Sequence, residues 1–420
     1  MKESKMKVVQ LGVGAGLPVH SGDEFGGTEK GVYWVSHWLG YLGCQVYVID
    51  IKGRAEQREE RQKSLAKFYE VWHLPLRHNY NFPFWSRFFN YLLAMLHLLL
   101  FALPSSLILN RLFAREKIEV IHAYSNLPAL AAIVVNKLRR NAAVIVYLES
   151  VAWGATKLSW RQRLPALFEI LALKWSDHII VEAPSLKRWL VSEFNLPPTK
   201  ISQVYSGVAV DEIEQFLSHK AGPCRQSNTV PCVGRVSPRK NQFTAGKVIP
   251  KVMAAHPEFK FVFVGPTSTG KYLNSIKKFI ADNELSPWVE FRGEVSKQEL
   301  YDLYSEATLF LLPSLAESQG LVLVEAMAFG LPVIASTIEP FVDVVNREEG
   351  SAILVDPNDV DGMAAAIIRL LEDSSLRQSM SQKAKRVSRY FSWEQVASHT
   401  LALYKKLVQN EKKSLSEVGS

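Results

Sequence analysis

The sequence predicts an α/β fold in which two Rossmann-like domains face a central cleft. Three observations carry that expectation. Short apolar runs of strand length alternate with helical stretches along the whole chain, as parallel sheets with crossover helices require. The alternation breaks once, between Ser206 and Thr229 around Gly222 and Pro223, and then restarts. A chain of 420 residues is also too long for one ordinary core. Strands are expected at 7–13, 45–49, 119–122, 144–147 and 178–181 in the first half. In the second half they are expected at 230–233, 260–264, 289–291, 307–312, 332–335 and 352–355. The domains are then 1–205 and 206–390. Ligands of such sheets bind beyond the carboxyl ends of the strands, so two facing edges place the active site in the cleft.

Composition narrows the function classes. Hydrophobic residues make up 48% and charged residues 21%, which is the balance of a globular protein and not of a disordered one. Cys44, Cys224 and Cys232 have neither a disulfide framework nor a metal spacing, and a reducing, cytoplasmic compartment fits them. Residues 8–11 are too short for the apolar core of a signal peptide. The charge is uneven. Residues 1–205 carry 25 Lys and Arg against 16 Asp and Glu, a net of +9, and the remainder carries 24 against 25. An anionic substrate, an anionic membrane surface or nucleic acid would each suit the basic half. No recognition helix, zinc finger or RNA-binding signature accompanies it, so nucleic acid is not expected.

Taken in chain order, the first candidate is the glycine-rich turn after the first strand, which includes Gly16, Gly26 and Gly27 and precedes a helix over 30–42. Glycines there let backbone N–H groups approach a phosphate or a sugar. The spacing is not that of a dinucleotide fingerprint, although Asp50 ends the second strand. Residues 88–103 are strongly apolar and end before Pro104, yet are shorter than the roughly 20 residues that span a bilayer. A helix packed on the first sheet and a helix lying on a membrane surface both fit them. His122 and Glu149 follow strands and can reach the cleft; the former also reads as a core histidine. Residues 156–175 form a second basic, aromatic, amphipathic stretch, expected to pack on the core.

In the second half, Arg235 and Lys240 follow the first strand and can both aim at its carboxyl edge. A planar fork and a mobile point charge there suit a diphosphate. Gly265 to Lys271 has phosphate-loop spacing, but Tyr272 stands where a magnesium-binding Ser or Thr is needed. The most informative pair is Glu317 and Glu325. A strand runs into a polar loop that ends at Gly320, and 321–328 reads as a helix. The two carboxylates are eight residues apart, about 12 Å along a helix. Between them the N–H groups of Gly320, Leu321 and Val322 are free to bind an anion. A ligand with hydroxyls at both ends and phosphates between them fits, and a sugar nucleotide is such a ligand. Two solvated carboxylates are the plain alternative.

These residues resemble those of a GT-B glycosyltransferase, specifically the large retaining family 4. The likeness runs from about residue 8 to residue 397. It rests on Gly26 to Glu29, Ser206 to Val208, Gly234-Arg235 with Lys240-Asn241, Phe291 to Val295, and Pro313 to Ser336. Phe391-Ser-Trp393 is similar to the start of the family's closing helix, which implies that 391–420 returns to the first domain. The resemblance implies that Arg235 and Lys240 hold the donor diphosphate and that Glu325 binds the ribose. Glu317, with the N–H groups after it, would hold the donor sugar. Gly16, Gly26 and Gly27 would lie near the phosphates, and Val295 would meet the base through its backbone. It implies no metal and no cofactor beyond the donor, UDP- or GDP-linked. Three departures stand out: Glu149 replaces a frequent His, Gln319 replaces a frequent aromatic residue, which bears on sugar selectivity, and Ser206-Gly-Val-Ala209 stands for the usual Asn-Gly-Val-Asp, a milder change.

The function expected is sugar transfer from a nucleotide-sugar to a hydroxyl of a glycan or lipid-linked acceptor, with retention at the anomeric carbon. Glu149, Glu317, Arg235 and Lys240 would form the catalytic set. The expected location is the cytoplasm, with peripheral contact at the inner face of an anionic membrane. Two rivals remain: an epimerase or hydrolase using the same donor, and a non-catalytic partner that binds sugar nucleotides.

Overall fold

Parallel pairing organises both halves of the chain. The computed structural model describes residues 5–12, 27–51, 64–71, 102–124, 126–139, 142–148, 160–220, 227–267 and 270–418. Met1–Tyr205 together with Val396–Ser420 form one compact unit, and Ser206–Gln395 form the other.

The first unit is built on seven parallel strands: β1 (Lys7–Leu11), β2 (Gln45–Ile51), β3 (Lys67–Val71), β4 (Val120–Ala123), β5 (Ala143–Leu148), β6 (His178–Val181) and β7 (Ile201–Gln203). Their order is β3-β2-β1-β4-β5-β6-β7, so the chain changes direction between β1 and β4. Sequence reasoning missed β3 and β7, the two edge strands. Both are short, and an edge strand needs only one buried face, which leaves a weak apolar signal. Helices over 102–115, Asn126–Arg139 and Trp160–Trp175 pack their inner sides on one face of this sheet. Val9, Ile49, Ile121 and Val144 meet Leu109, Ile133 and Leu173 there.

The opposite face holds a buried polar cluster at the switch between β1 and β4. Gln10 and His122 are paired in register. Gln10 Nε2 donates to Tyr404 Oη at 3.0 Å, and Tyr404 Oη lies 2.7 Å from His122 Nδ1. Tyr404 belongs to the long terminal helix Trp393–Val418, so that helix is keyed into this sheet by hydrogen bonds as well as by apolar packing. Burial holds His122 neutral, its pKa depressed to about 3, and holds His178 on β6 at about 4. In the unfolded chain both titrate near 6.5. Between those values the unfolded state binds more protons than the fold does. Stability is therefore complete above about pH 6.5 and declines as pH falls toward 4, by up to about 1.4 kcal/mol per pH unit for each histidine. Thermal unfolding between pH 7 and pH 4 should show that slope, and His122→Gln should reduce it to the His178 share.

The second unit carries β8 (Thr229–Val233), β9 (Lys260–Val264), β10 (Val289–Gly293), β11 (Phe310–Leu312), β12 (Val333–Ser336) and β13 (Ile353–Val355), all parallel to their neighbours. They form two three-stranded sheets, β10-β9-β8 and β11-β12-β13. The sequence reading expected one continuous sheet. Thr308 N–H still donates to Thr229 O at 3.1 Å, which sets β11 beside β8. Pro231 explains the interruption. Gly234 N–H points to β9, where Val264 O accepts it at 2.8 Å, while Thr229 O faces β11. By strand alternation Pro231 also faces β11, and it has no N–H to give. The core nevertheless runs across the seam, from Phe261 and Val230 to Leu311 and Ile334.

The interval 206–229 is less irregular than its sequence suggests. Val210–His219 is a helix that buries Val210 and Ile213. Just before it, Val208 N–H donates to Phe391 O at 2.8 Å. A Cβ on Gly207 would lie 2.4 Å from the Trp393 ring, so only glycine lets that indole close over the backbone. Among the described residues no helix is long and apolar enough to cross a membrane.

Candidate active site

β8 and β11 bracket the second switch point, and the segments leaving them build the site. After β8 the chain makes a tight turn. Gly234 takes φ +142, and a Cβ there would press on the Lys240 side chain at 3.2 Å, so Lys240 runs across Gly234. Gln242 Nε2 holds the turn by donating to Arg235 O at 3.1 Å. Asn241, left-handed at φ 55, donates from Nδ2 to Pro357 O at 2.9 Å. With its backbone held on both sides, Lys240 places Nζ 2.6 Å from Glu317 Oε1.

Glu317 lies on the loop after β11. Its side chain is only 4% exposed, so its charge depends on partners. Ser314 Oγ donates to Oε1 at 2.8 Å. Arg239 donates to Oε2 at 3.3 Å and to Ala316 O at 2.9 Å, and Leu315 N–H donates to Arg239 O at 2.8 Å. Arg239 and Ser314 were missed by sequence reasoning. Arg239 adjoins Lys240 in the same basic turn, which was the available signal. Lys240 and Glu317 thus meet each other, where the sequence reading sent one to phosphate and the other to sugar. Lys240 still has two N–H donors beyond the one given to Glu317.

Gly320 ends the loop at φ +82 and begins the helix Leu321–Ala328. A Cβ on it would sit 2.3 Å from the buried Phe341 ring, so no other residue fits. No side chain caps this helix. The half-buried N–H groups of Leu321 and Val322 keep the orphan donors of a helix start, next to Glu317 in sequence. Glu325 is half-buried on the following turn, and its charge adds to the burial that raises the phenols of Tyr301 and Tyr304.

The remaining candidates lie as follows. Arg235 is exposed, and among the described residues its guanidinium has no ion-pair partner; no contact places it beside Glu317. Val295 is half-buried in the turn after β10, ahead of a helix capped by Ser296 and Glu299. Gly27 starts the helix Gly27–Tyr41. Gly16, Gly26 and Glu149 lie outside the described residues. Gln319 is 1% exposed, and its amide is engaged by the backbone: Ser206 N–H donates to its Oε1 at 2.7 Å, and its Nε2 donates to Ser206 O at 2.9 Å. Tyr272, the residue that spoils the phosphate-loop pattern, accepts the Phe243 N–H at 3.1 Å and so ties two helices together.

The chain resembles known proteins in sequence and in fold. Residues 215–387 match the profile of Glycosyl transferases group 1, and residues 25–212 match Glycosyltransferase Family 4. The chain is 28% identical over 250 residues to a D-inositol 3-phosphate glycosyltransferase of Nocardioides sp., covering 55% of this chain and 54% of that one. It is 25% identical over 283 residues to the UDP-Gal:alpha-D-GlcNAc-diphosphoundecaprenol alpha-1,3-galactosyltransferase of Escherichia coli, covering 65% and 72%. Aligned in this way, it spans about half the length of most of the curated relatives it matches. In fold it is similar to the crystal structure of a glycosyltransferase from Rickettsia africae ESF-5, with a TM-score of 0.69 at 17% identity, covering 97% and 99%. The fold is GT-B, and the chain belongs to the family 4, group 1 glycosyltransferases.

Proposed function

We propose that this protein transfers a sugar from a nucleotide-sugar to a hydroxyl of a glycan or lipid-linked acceptor, with retention at the anomeric carbon. The observation that carries the reading is the Lys240–Glu317 pair, set beside the uncapped start of Leu321–Ala328 at the second switch point. The anomeric carbon–oxygen bond to the diphosphate breaks and a bond to the acceptor oxygen forms. The acceptor proton leaves with the departing diphosphate. Negative charge grows on that diphosphate, and Arg235, the two spare N–H groups of Lys240 and the helix-start amides oppose it without moving. Glu317 accepts hydrogen bonds from donor-sugar hydroxyls, Glu325 from the ribose, and the Val295 backbone meets the base. Glu149, next after β5 in sequence, orients the acceptor. The lipid-linked acceptor and the UDP donor have precedent in the name of the Escherichia coli relative.

A thermal-shift screen of UDP-, GDP- and ADP-sugars tests the donor assignment. One nucleotide class should raise the Tm. Glu325→Ala and Arg235→Ala should abolish that rise, and Lys271→Ala should leave it nearly intact. An equal collapse in Lys271→Ala would move phosphate binding to the loop after β9 and sink the assignment. Product NMR with the matching acceptor reports the anomeric outcome, and turnover without any acceptor would favour a hydrolase.

A further inference from the structure

Three helices that share one face of the first sheet leave the same kind of residue outside. In 102–115, Leu103 and Leu107 stand one turn apart and are 65% and 61% exposed. In Asn126–Arg139, Val134 and Leu138 do the same, Leu138 at 81%. In Trp160–Trp175, Leu167 and Trp175 are exposed on one stripe. These account for six of the eleven large exposed hydrophobics among the described residues, so the pattern is concentrated and not scattered. The stripes are joined. Arg139 donates to Asn110 Oδ1 at 2.8 Å, linking the first helix to the second. Lys137 Nζ sits 4.9 Å from the centre of the Trp175 ring, linking the second to the third.

Charge identifies the occupant. The first two helices carry Arg111, Arg115, Lys137 and Arg139 with no acid, and the third adds Lys174. The one carboxylate in all three, Glu169, is buried. A cationic belt threaded with leucine and tryptophan matches a lipid surface with anionic headgroups: apolar tips enter the headgroup boundary while Lys and Arg meet phosphate. A second copy would set five cations against five, and nucleic acid gives the exposed leucines nothing to enter.

We propose that the outer face of these three helices docks on an anionic bilayer. The proposal deepens the lipid-linked-acceptor reading, since a protein held at the membrane meets such an acceptor at its own surface. Flotation of the full chain with vesicles needs neither donor nor acceptor, so its failure is separable from failure of the transferase reading. The protein should float with vesicles of phosphatidylcholine and phosphatidylglycerol, and not with phosphatidylcholine alone. Lys137→Glu with Arg139→Glu should cut the bound fraction by about tenfold or more, and Leu107→Ser with Leu138→Ser should also weaken it. Lys277→Glu with Lys278→Glu, an equal charge change on the second unit, should leave binding unchanged. All variants should keep the wild-type Tm and nucleotide response. No flotation on anionic vesicles, or equal loss in the variant at Lys277 and Lys278, overturns the proposal. A dimer in sedimentation velocity that the Leu138 change dissolves assigns the face to a second copy instead.

Discussion

Replacing Lys240 with Met is expected to lower stability by about 3 kcal/mol and to cost about a hundredfold or more in donor affinity. The Glu317 carboxylate is nearly inaccessible, and Lys240 is its shortest ionic partner, at 2.6 Å. Without it, the charge is left to the Ser314 hydroxyl and to Arg239, which reaches it at 3.3 Å from a largely exposed position. An uncompensated buried charge is costly, whereas removing both members of a pair is often close to neutral. The double variant Lys240→Met/Glu317→Gln should therefore recover most of the stability while still failing to bind the nucleotide-sugar. Denaturant unfolding and a nucleotide titration on both variants separate the two effects. If the single variant unfolds and binds like the wild type, the pair is not the centre of the site.

The second large effect is expected at Gln319. Its amide satisfies both backbone groups of Ser206, and the whole arrangement is buried. Gln319→Leu preserves bulk but orphans one N–H and one C=O, at about 1–3 kcal/mol each, so a loss of about 2–6 kcal/mol is expected. Gln319→Phe, which supplies the aromatic residue that the family resemblance implies, should do no better in this chain. The ranking of sugar donors should not change in either variant, because both ends of the amide are spent on the Ser206 backbone. A changed donor ranking at a temperature where the variant is folded would return Gln319 to the sugar site. This is where the sequence reading is corrected most: Gln319 anchors the Ser206 backbone within the second unit.

Much of the fold was legible because it rests on one-dimensional signals. All six strands of the second unit and five of the seven in the first appear as apolar runs, and the helix after Gly320 follows from a glycine and an apolar octet. The candidate carboxylates and cations were also legible, since Glu317, Glu325, Arg235 and Lys240 are chemically unusual between apolar segments. Three things were not. β3 and β7 carry too few buried residues to register. The helix Val210–His219 buries only Val210 and Ile213, which polar neighbours mask. The break between β8 and β11 depends on which neighbour Pro231 faces, and that follows from pairing direction.

The sequence alone determined the architecture, the family and the residue types at the second switch point, because periodicity, glycine placement and charge are properties of the chain. Only the tertiary structure decided who meets whom. It paired Lys240 with Glu317, recruited Arg239 and Ser314, turned Gln319 toward Ser206, and keyed Tyr404 to His122 across 282 residues of chain. The physical reason is common to all of them. A buried polar group must find a partner, and which partner lies within reach depends on how the strands and helices pack, which no local pattern in the chain records.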